Sequence, residues 1–463
     1  MKLTTLCEQL TQLLPEGKIK TDPQALQAYG TDWTSQYVPN PAVIVFPKTI
    51  QELQQITLFA NQHRLPLVPS GGRTGLSGGA VACNQEIVVS FDLMNQISEV
   101  NLCEATIKCQ AGVVTQQLQE AAAAHNLYYP VDFASSGSSQ IGGNIATNAG
   151  GIKVIHYGHT RQWVAGLTVV TGKGDILELN KGLVKNATGY DLRHLFIGSE
   201  GTLGFIADAT IRLTRSPLNP TVLVLGLNAI APMLDVLQCF RQQLDLTACE
   251  FFSNDALQLV MRKHKVAAPL NEAAPFYMLL EFDALSETVI ELALQLFEEC
   301  LNQQWITDGV MSQNASQAAS LWQLRELLPE SLSEFTPYKN DISVLTMHIP
   351  NLVTDLNQII TQHYADFDII WFGHIGDGNM HLNILKPSGM ERSTFTNICE
   401  QVNEQIFATI AKYDGSISAE HGIGLLKKKY LHYTRSAEQV AYLRAIKQVF
   451  DPNGIMNPGK IFD

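Results

Sequence analysis

Residues 70–79 read SGGRTGLSGG, five glycines in ten positions. Glycine clusters let a backbone approach a ligand closely, and consecutive N–H groups form a nest for an anion. A pyrophosphate is the natural guest. The chain contains neither GxGxxG nor GxxxxGK[ST], so neither a Rossmann dinucleotide site nor a P-loop is expected. Just upstream, PAVIVFP (41–47) has the look of a short buried strand. Thr49 and Glu52 then have capping-box spacing, and Leu53, Ile56 and Ala60 give the helix that follows one apolar face. LPLVPS (65–70) is a second strand, parallel to the first. The glycine run therefore leaves the end of a strand–helix–strand unit.

Further on, EIVVSFDL and TIKCQAGV read as strands and VVTQQLQEAAAAHNL as a helix. A second small-residue stretch, ASSGSSQIGGNIATNAGG (134–151), could clamp an extended cofactor from the other side. WVAGLTVVTGKGDILEL predicts a hairpin around GKGD. Pro217 and Pro220 close this region, which sets a first domain of residues 1–217 with a core of about 38–217. Beyond it TVLVLGL, FYMLLEFD, ISVLTMHIP and FDIIWFG are strand-like. Helical stretches lie at about 231–243, 286–302, 314–328 and 351–364, predicting a sheet with helices on one face. This second domain runs over 218–435, and a last helix at about 436–450 leads to DPNGIMNPGKIFD.

Composition narrows the function. The 463 residues carry 31 Lys plus Arg and 44 Asp plus Glu, a formal charge of −13. That acidity argues against a nucleic-acid partner. Glu8 and Gln9 interrupt the N-terminal run where a signal peptide needs apolar residues, and Asn228, Pro232 and Asp235 break the most apolar stretch. No transmembrane segment is expected. The eight cysteines include no CxxC, so they read as reduced thiols in a cytoplasmic protein, with no iron–sulfur cluster in this chain.

The second chemical signal is WFGHIGDGNMHLNIL (371–385). Asp377-Gly378 is a strong two-residue hairpin turn, which sets His374 directly opposite His381. Asn379 and Asn383 then share the histidine face, while Ile375, Met380, Leu382 and Ile384 point to a core. Two histidines on one face can share a metal, and a third ligand is needed. SISAEHGIG (416–424) offers Glu420 and His421 beside glycines. Two histidines and a carboxylate make an open divalent site, with zinc first and manganese, iron or cobalt also fitting. Arg325, near a helix end, and Lys339 could hold an anionic substrate.

Taken together, PSGGRTGLSGGA, GGNIATNAGG, GSEGTLGFI, GHIGDGNMH, AEHGIG and NPGK occur in order. The chain resembles the FAD-linked D-2-hydroxyacid dehydrogenases of the vanillyl-alcohol-oxidase superfamily, from about Tyr29 to Lys460. The resemblance implies an α+β fold: a two-subdomain PCMH-type FAD-binding domain, a cap domain with an antiparallel-rich sheet, and a tail (436–463) returning to the FAD domain. It implies cofactor contacts at Pro69, Ser70, Gly71, Gly72, Arg73, Thr74, Gly75, Gly78, Gly79, Ser139, Gly142, Gly143, Asn144, Thr147, Asn148, Gly150, Gly151, Glu200, Gly201, Gly204, Ile206 and Asn457. It also implies His374, His381 and Glu420 as metal ligands, His421 as catalytic base, and Arg325, Lys339 and Asn383 at the substrate. The expected reaction is oxidation of a D-2-hydroxy acid of the hydroxyglutarate or lactate class to the 2-oxo acid. Electrons would pass to electron-transfer flavoprotein, a quinone or a cytochrome, and a homodimer or peripheral association with the inner face of the membrane is compatible with the sequence. Relatives with covalent flavin carry a His in the first glycine loop, where this chain has Arg73 and Thr74, so non-covalent FAD is expected. The hydroxyglutarate enzymes resemble R-x-x-x-T after the substrate arginine, whereas Arg325 is followed by Pro329. Two alternatives stand beside it: the flavin subunit of a multi-subunit glycolate oxidase, and a flavin-free two-His-one-carboxylate metalloenzyme, which would use the same hairpin but leave the glycine loops unexplained.

Overall fold

The computed structural model describes residues 2–14, 17–34 and 36–462, and its contacts divide the chain into two units. The first holds residues 1–150, 159–216 and 420–463; the second holds 151–158 and 217–419.

The first unit is built on a four-stranded sheet, a five-stranded sheet and a two-stranded pair. The four-stranded sheet uses β1 (Ile19–Lys20), β2 (Val43–Val45), β3 (Leu67–Ser70) and β4 (Ile87–Ser90) in the order β1-β2-β4-β3. β2 and β3 run parallel, as the strand–helix–strand pattern predicts, with β4 seated between them. The connecting helix, Ile50–His63, starts at Thr49, whose hydroxyl accepts the Glu52 N–H at 3.2 Å. Such a cap contributes about 1 kcal/mol. The expected box is only half formed: the Glu52 carboxylate accepts instead from the Lys48 N–H and the Lys18 ammonium.

The remaining strands of this unit are β5 (Ile97–Asn101), β6 (Thr106–Gln110), β7 (Leu127–Tyr128), β8 (Val164–Thr171), β9 (Ile176–Leu179), β10 (Gly204–Arg212) and β11 (Thr214–Arg215). Five of them form an antiparallel sheet in the order β5-β6-β10-β8-β9, and β7 pairs with β11. The β8–β9 hairpin is the one predicted at GKGD. Val169, Phe205, Ile211 and Ile141 belong to one shared core. The second small-residue stretch is not an open loop. Ile141–Thr147 is a helix, because Ile141 and Ile145 anchor one face in that core and Asn148, in left-handed backbone, ends it.

The second unit carries an antiparallel sheet of β12 (Pro220–Leu227), β13 (Leu246–Ser253), β14 (Phe276–Asp283), β15 (Asp308–Met311), β16 (Tyr338–Ser343), β17 (Ile369–His374) and β18 (Asn379–Ile384). Their order is β15-β12-β14-β13-β17-β18-β16. Helices cover both faces, not one. Val222, Val224 and Phe252 pack with Trp322, Leu324 and Leu257. Leu225, of opposite parity on β12, lies beside Gly309 with Phe297 of the helix Glu287–Asn302. Accordingly β13 is buried along its whole length. Among the described residues no helix is long and apolar enough to cross a membrane.

The histidine hairpin differs from its predicted register. β17 and β18 are joined by a four-residue connection, a 3-10 turn at Ile375–Asp377 followed by Gly378 at φ +86°. His374 therefore pairs with Asn379, and His381 with Phe372. The slip is two residues. A one-residue slip would have turned every side chain to the other face, but a two-residue slip keeps the parity. His374, Asn379, His381 and Asn383 still share a face, while Met380, Leu382 and Ile384 are buried on the other. Ile375 is buried within the turn and not on a strand.

Candidate active site

The first unit contains a cleft of about 930 Å³. Among the expected cofactor residues it brings together Pro69, Gly71, Gly72, Arg73, Thr74, Gly75, Gly79, Gly142, Gly143, Asn144, Thr147, Glu200, Gly201, Gly204 and Ile206. His421 lines the same cleft. Sequence reading missed Ser77, Ala80, Phe91, Ala111, Gln140, Ala146 and Phe205. Ser77, Ala80, Gln140, Ala146 and Phe205 lie within the motif stretches, whereas Phe91 and Ala111 lie outside them and carry no signal.

The geometry suits a bound dinucleotide. The N–H groups of Gly72, Arg73, Thr74 and Gly75 donate to no described residue, which leaves the nest free for pyrophosphate oxygens. A Cβ on Gly72 would lie 2.2 Å from the Ser138 carbonyl oxygen, so only glycine lets the two loops close together. A Cβ on Gly143 would meet no protein atom and would project into open space. Arg73 is held away from the nest, its guanidinium 4.4 Å from the Tyr29 ring centroid and Nη1 donating to the Gly71 carbonyl.

Several expected cofactor residues lie outside the cleft lining and hold it from behind. Ser139 hydrogen-bonds to Thr115, as does Asn144 of the lining itself. Asn148 Oδ1 accepts from the Arg161 N–H. Asn457 is buried and donates to the carbonyls of Gly79 and Glu200, tying two cofactor loops together. Ser70, Gly78 and Gly150 also fall outside the lining, and Gly151 belongs to the second unit. Glu200 is buried, and burial pushes its carboxyl above the ordinary range despite two backbone hydrogen bonds. Those bonds come from the Ile423 and Gly424 N–H groups at 2.7 and 2.8 Å. Ser77 Oγ donates to the His421 carbonyl at 2.8 Å. The AEHGIG segment is thus clamped so that the His421 ring, beside the Glu420 carboxylate at 3.6 Å, is presented to the cleft.

The second unit gathers the other polar residues on one sheet face. Strand pairing sets Asp341 opposite His381 and Lys339 opposite Asn383. The rings of His374 and His381 lie 5.4 Å apart between centroids. His374 Nδ1 is 2.7 Å from Glu250 Oε1, and His381 Nδ1 is 3.7 Å from Asp341. Arg325 sits in the last turn of the helix Ala315–Glu326, as expected, but it is buried. Its guanidinium stacks 4.7 Å from the Phe372 ring centroid, and Nε pairs with Glu250 at 2.8 Å. Lys339 makes no ion pair with a described residue, and burial holds its ammonium below the usual lysine value. Asn383 Nδ2 makes long contacts, 3.4 Å, to the Ile370 and His381 carbonyls.

Glu250 and Asp341 were missed in the sequence. Each is the lone acid in its strand, within LTACEFFS and YKNDIS, and that is the signal that could have found them. Asp341 Oδ2 accepts the N–H of Ala419, the residue preceding Glu420. The chemistry of the set fits a divalent metal, since two imidazoles and a carboxylate are borderline ligands of the kind zinc takes.

Comparisons agree with the dinucleotide reading of the first unit. Residues 41–180 match the FAD binding domain family, and residues 217–461 match the family of FAD linked oxidases, C-terminal domain. A D-2-hydroxyglutarate dehydrogenase of Stutzerimonas stutzeri is 58% identical over 99% of this chain and 98% of its own length. One from Xanthomonas citri is 49% identical over 98% and 96%. The mitochondrial D-2-hydroxyglutarate dehydrogenase of Danio rerio is 37% identical over 97% and 83%. Among solved structures, p-cresol methylhydroxylase with substrate bound matches with TM-score 0.80 over 99% of this chain and 97% of its own, at 12% identity. A 4-ethylphenol oxidase from Gulosibacter chungangensis gives 0.78 over the same shares, at 16%. These two show the fold. The chain belongs to the FAD-linked D-2-hydroxyacid dehydrogenases, with a PCMH-type FAD-binding domain and an FAD-linked oxidase C-terminal domain.

Proposed function

We propose that the protein oxidises D-2-hydroxyglutarate to 2-oxoglutarate, with FAD held non-covalently and a divalent metal at the substrate. The observation that carries the substrate is 58% identity along the whole chain to a D-2-hydroxyglutarate dehydrogenase. Two basic residues on the second unit, buried Arg325 and half-buried Lys339, suit an acid with two carboxylates.

In this reading His374, His381 and Glu420 hold the metal. FAD supplies a hydride acceptor and the metal a Lewis acid toward the hydroxyl oxygen. Arg325 binds a substrate carboxylate through the guanidinium nitrogens that Glu250 does not engage. Lys339 adds a point charge, and Asn383 offers its amide to the substrate. His421, clamped at the edge of the cleft, takes the hydroxyl proton, a task suited to imidazole near neutral pH. The C2 hydride leaves as that proton is taken. A quinone, a cytochrome or electron-transfer flavoprotein then accepts the electrons.

The test is anaerobic bleaching of the flavin absorbance by D-2-hydroxyglutarate, D-lactate and glycolate in turn. Bleaching by hydroxyglutarate at the lowest concentration is expected. Bleaching by D-lactate alone would transfer the assignment to the shorter acid, a result that Pro329 in place of the family threonine would explain.

A further inference from the structure

Glu250 is buried in the middle of β13, and nothing in the reaction proposed above uses it directly. Its two oxygens go to different places. Oε1 lies 2.7 Å from His374 Nδ1, and Oε2 lies 2.8 Å from Arg325 Nε. Side-chain exposure is 1% for Glu250, 5% for Arg325 and 8% for His374, so water does not compete for these contacts. Phe372 stacks on Arg325 and walls the group on one side. A carboxylate only accepts hydrogen bonds, so the His374 ring must carry a proton at Nδ1. That fixes the tautomer whose Nε2 lone pair is available to a metal. The same carboxylate places its second oxygen as a counter-charge beside Nε, an ion pair not aligned as a hydrogen bond, and leaves the paired guanidinium nitrogens for an incoming anion.

From this we infer that Glu250 is a positioning residue that serves two functional groups at once: it sets the metal-binding tautomer of His374 and orients Arg325 for the substrate carboxylate. The inference rests on His374 being a ligand and Arg325 a substrate residue. A register argument supports it. β13 neighbours β17 through Phe251–Gly373 and Phe252–Phe372, and one step of two along each strand from Phe252 and Phe372 brings Glu250 beside His374 on a common face. A hydrophobic residue at 250 would pack in this strand, but it would remove the carboxylate from His374 Nδ1 and the counter-charge from Arg325.

The experiment uses the FAD-loaded full-length enzyme, with zinc affinity read by competition against a chromophoric chelator. Glu250→Gln should weaken zinc binding roughly 10–100-fold, the usual size for a residue behind a metal ligand. It should also raise KM for D-2-hydroxyglutarate, while the flavin spectrum stays that of wild type. Glu250→Asp should recover part of both effects. In a His374→Ala background, Glu250→Gln should cost no further zinc affinity. Wild-type zinc affinity in Glu250→Gln alongside a clear loss in His374→Ala would overturn the inference alone. Equal affinity in wild type and His374→Ala would remove the ligand on which it rests. Should the glutamine variant fail to fold, the 15N histidine spectrum of the metal-free wild type decides. The ring signals that vanish in His374→Ala should report a proton at Nδ1; a proton at Nε2 alone would overturn the assignment.

Discussion

At the scale of single residues, His421 and Lys339 carry the sharpest expectations. His421→Ala should keep FAD and lose turnover by about 100-fold or more, the ordinary worth of a positioned general base. Stopped-flow reduction of the flavin measures it, and unchanged reduction would take His421 out of the proton-transfer role. Lys339 is depressed by burial below its reference value of 10.5. As pH rises through that lowered pKa the ammonium loses its charge while an exposed lysine would keep it. KM for the dianionic substrate should therefore climb on an alkaline limb that begins below 10.5, and Lys339→Arg should push that limb outward because guanidinium stays charged. The stability sign follows from the same shift. The unfolded chain binds the proton more readily in this window, so stability gained from neutral Lys339 rises with pH between the lowered pKa and the free value.

Elements decide whether these residues meet. The β17–β18 connection works because Gly378 takes left-handed backbone and its α-carbon faces the Val344 carbonyl. A Cβ there would lie 2.0 Å from that oxygen. Gly378→Ala should cost at least about 1–3 kcal/mol from the backbone conformation alone, before the clash is counted. Urea unfolding reads this directly, and metal affinity should fall with it as the His374–His381 pair is displaced. The hairpin also shows what was legible in the chain and what was not. Alternation along GHIGDGNMH gave the polar and apolar faces correctly. The turn was misassigned, since Asp-Gly favours a two-residue turn locally and Ile375 prefers burial in a 3-10 turn instead. The strand LTACEFFS is not legible in the chain because it is buried on both faces and shows no alternation. With it went Glu250.

On the scale of the whole molecule, the cofactors give the remaining predictions. Acid precipitation should release FAD into the supernatant, with none left on the polypeptide, since a His is lacking in the first glycine loop. Dialysis against a strong chelator should abolish bleaching by hydroxy acid while leaving the flavin spectrum, and added zinc or manganese should restore it; full bleaching after chelation would remove the metal from the proposal. The glycine nest, the two histidines of one parity and the order of the motifs are legible in the chain. These are local properties, fixed by residue type and by the period of two along a strand. Tertiary structure alone decided which groups stand behind them. Asn457 ties the Gly79 and Glu200 loops from 378 and 257 residues away, Glu200 clamps a segment more than 220 residues later, and Glu250 meets His374 across 124. Such partners leave no spacing in the chain, because a buried carboxylate or amide is chosen by the hydrogen bonds its folded surroundings require, not by its neighbours in sequence.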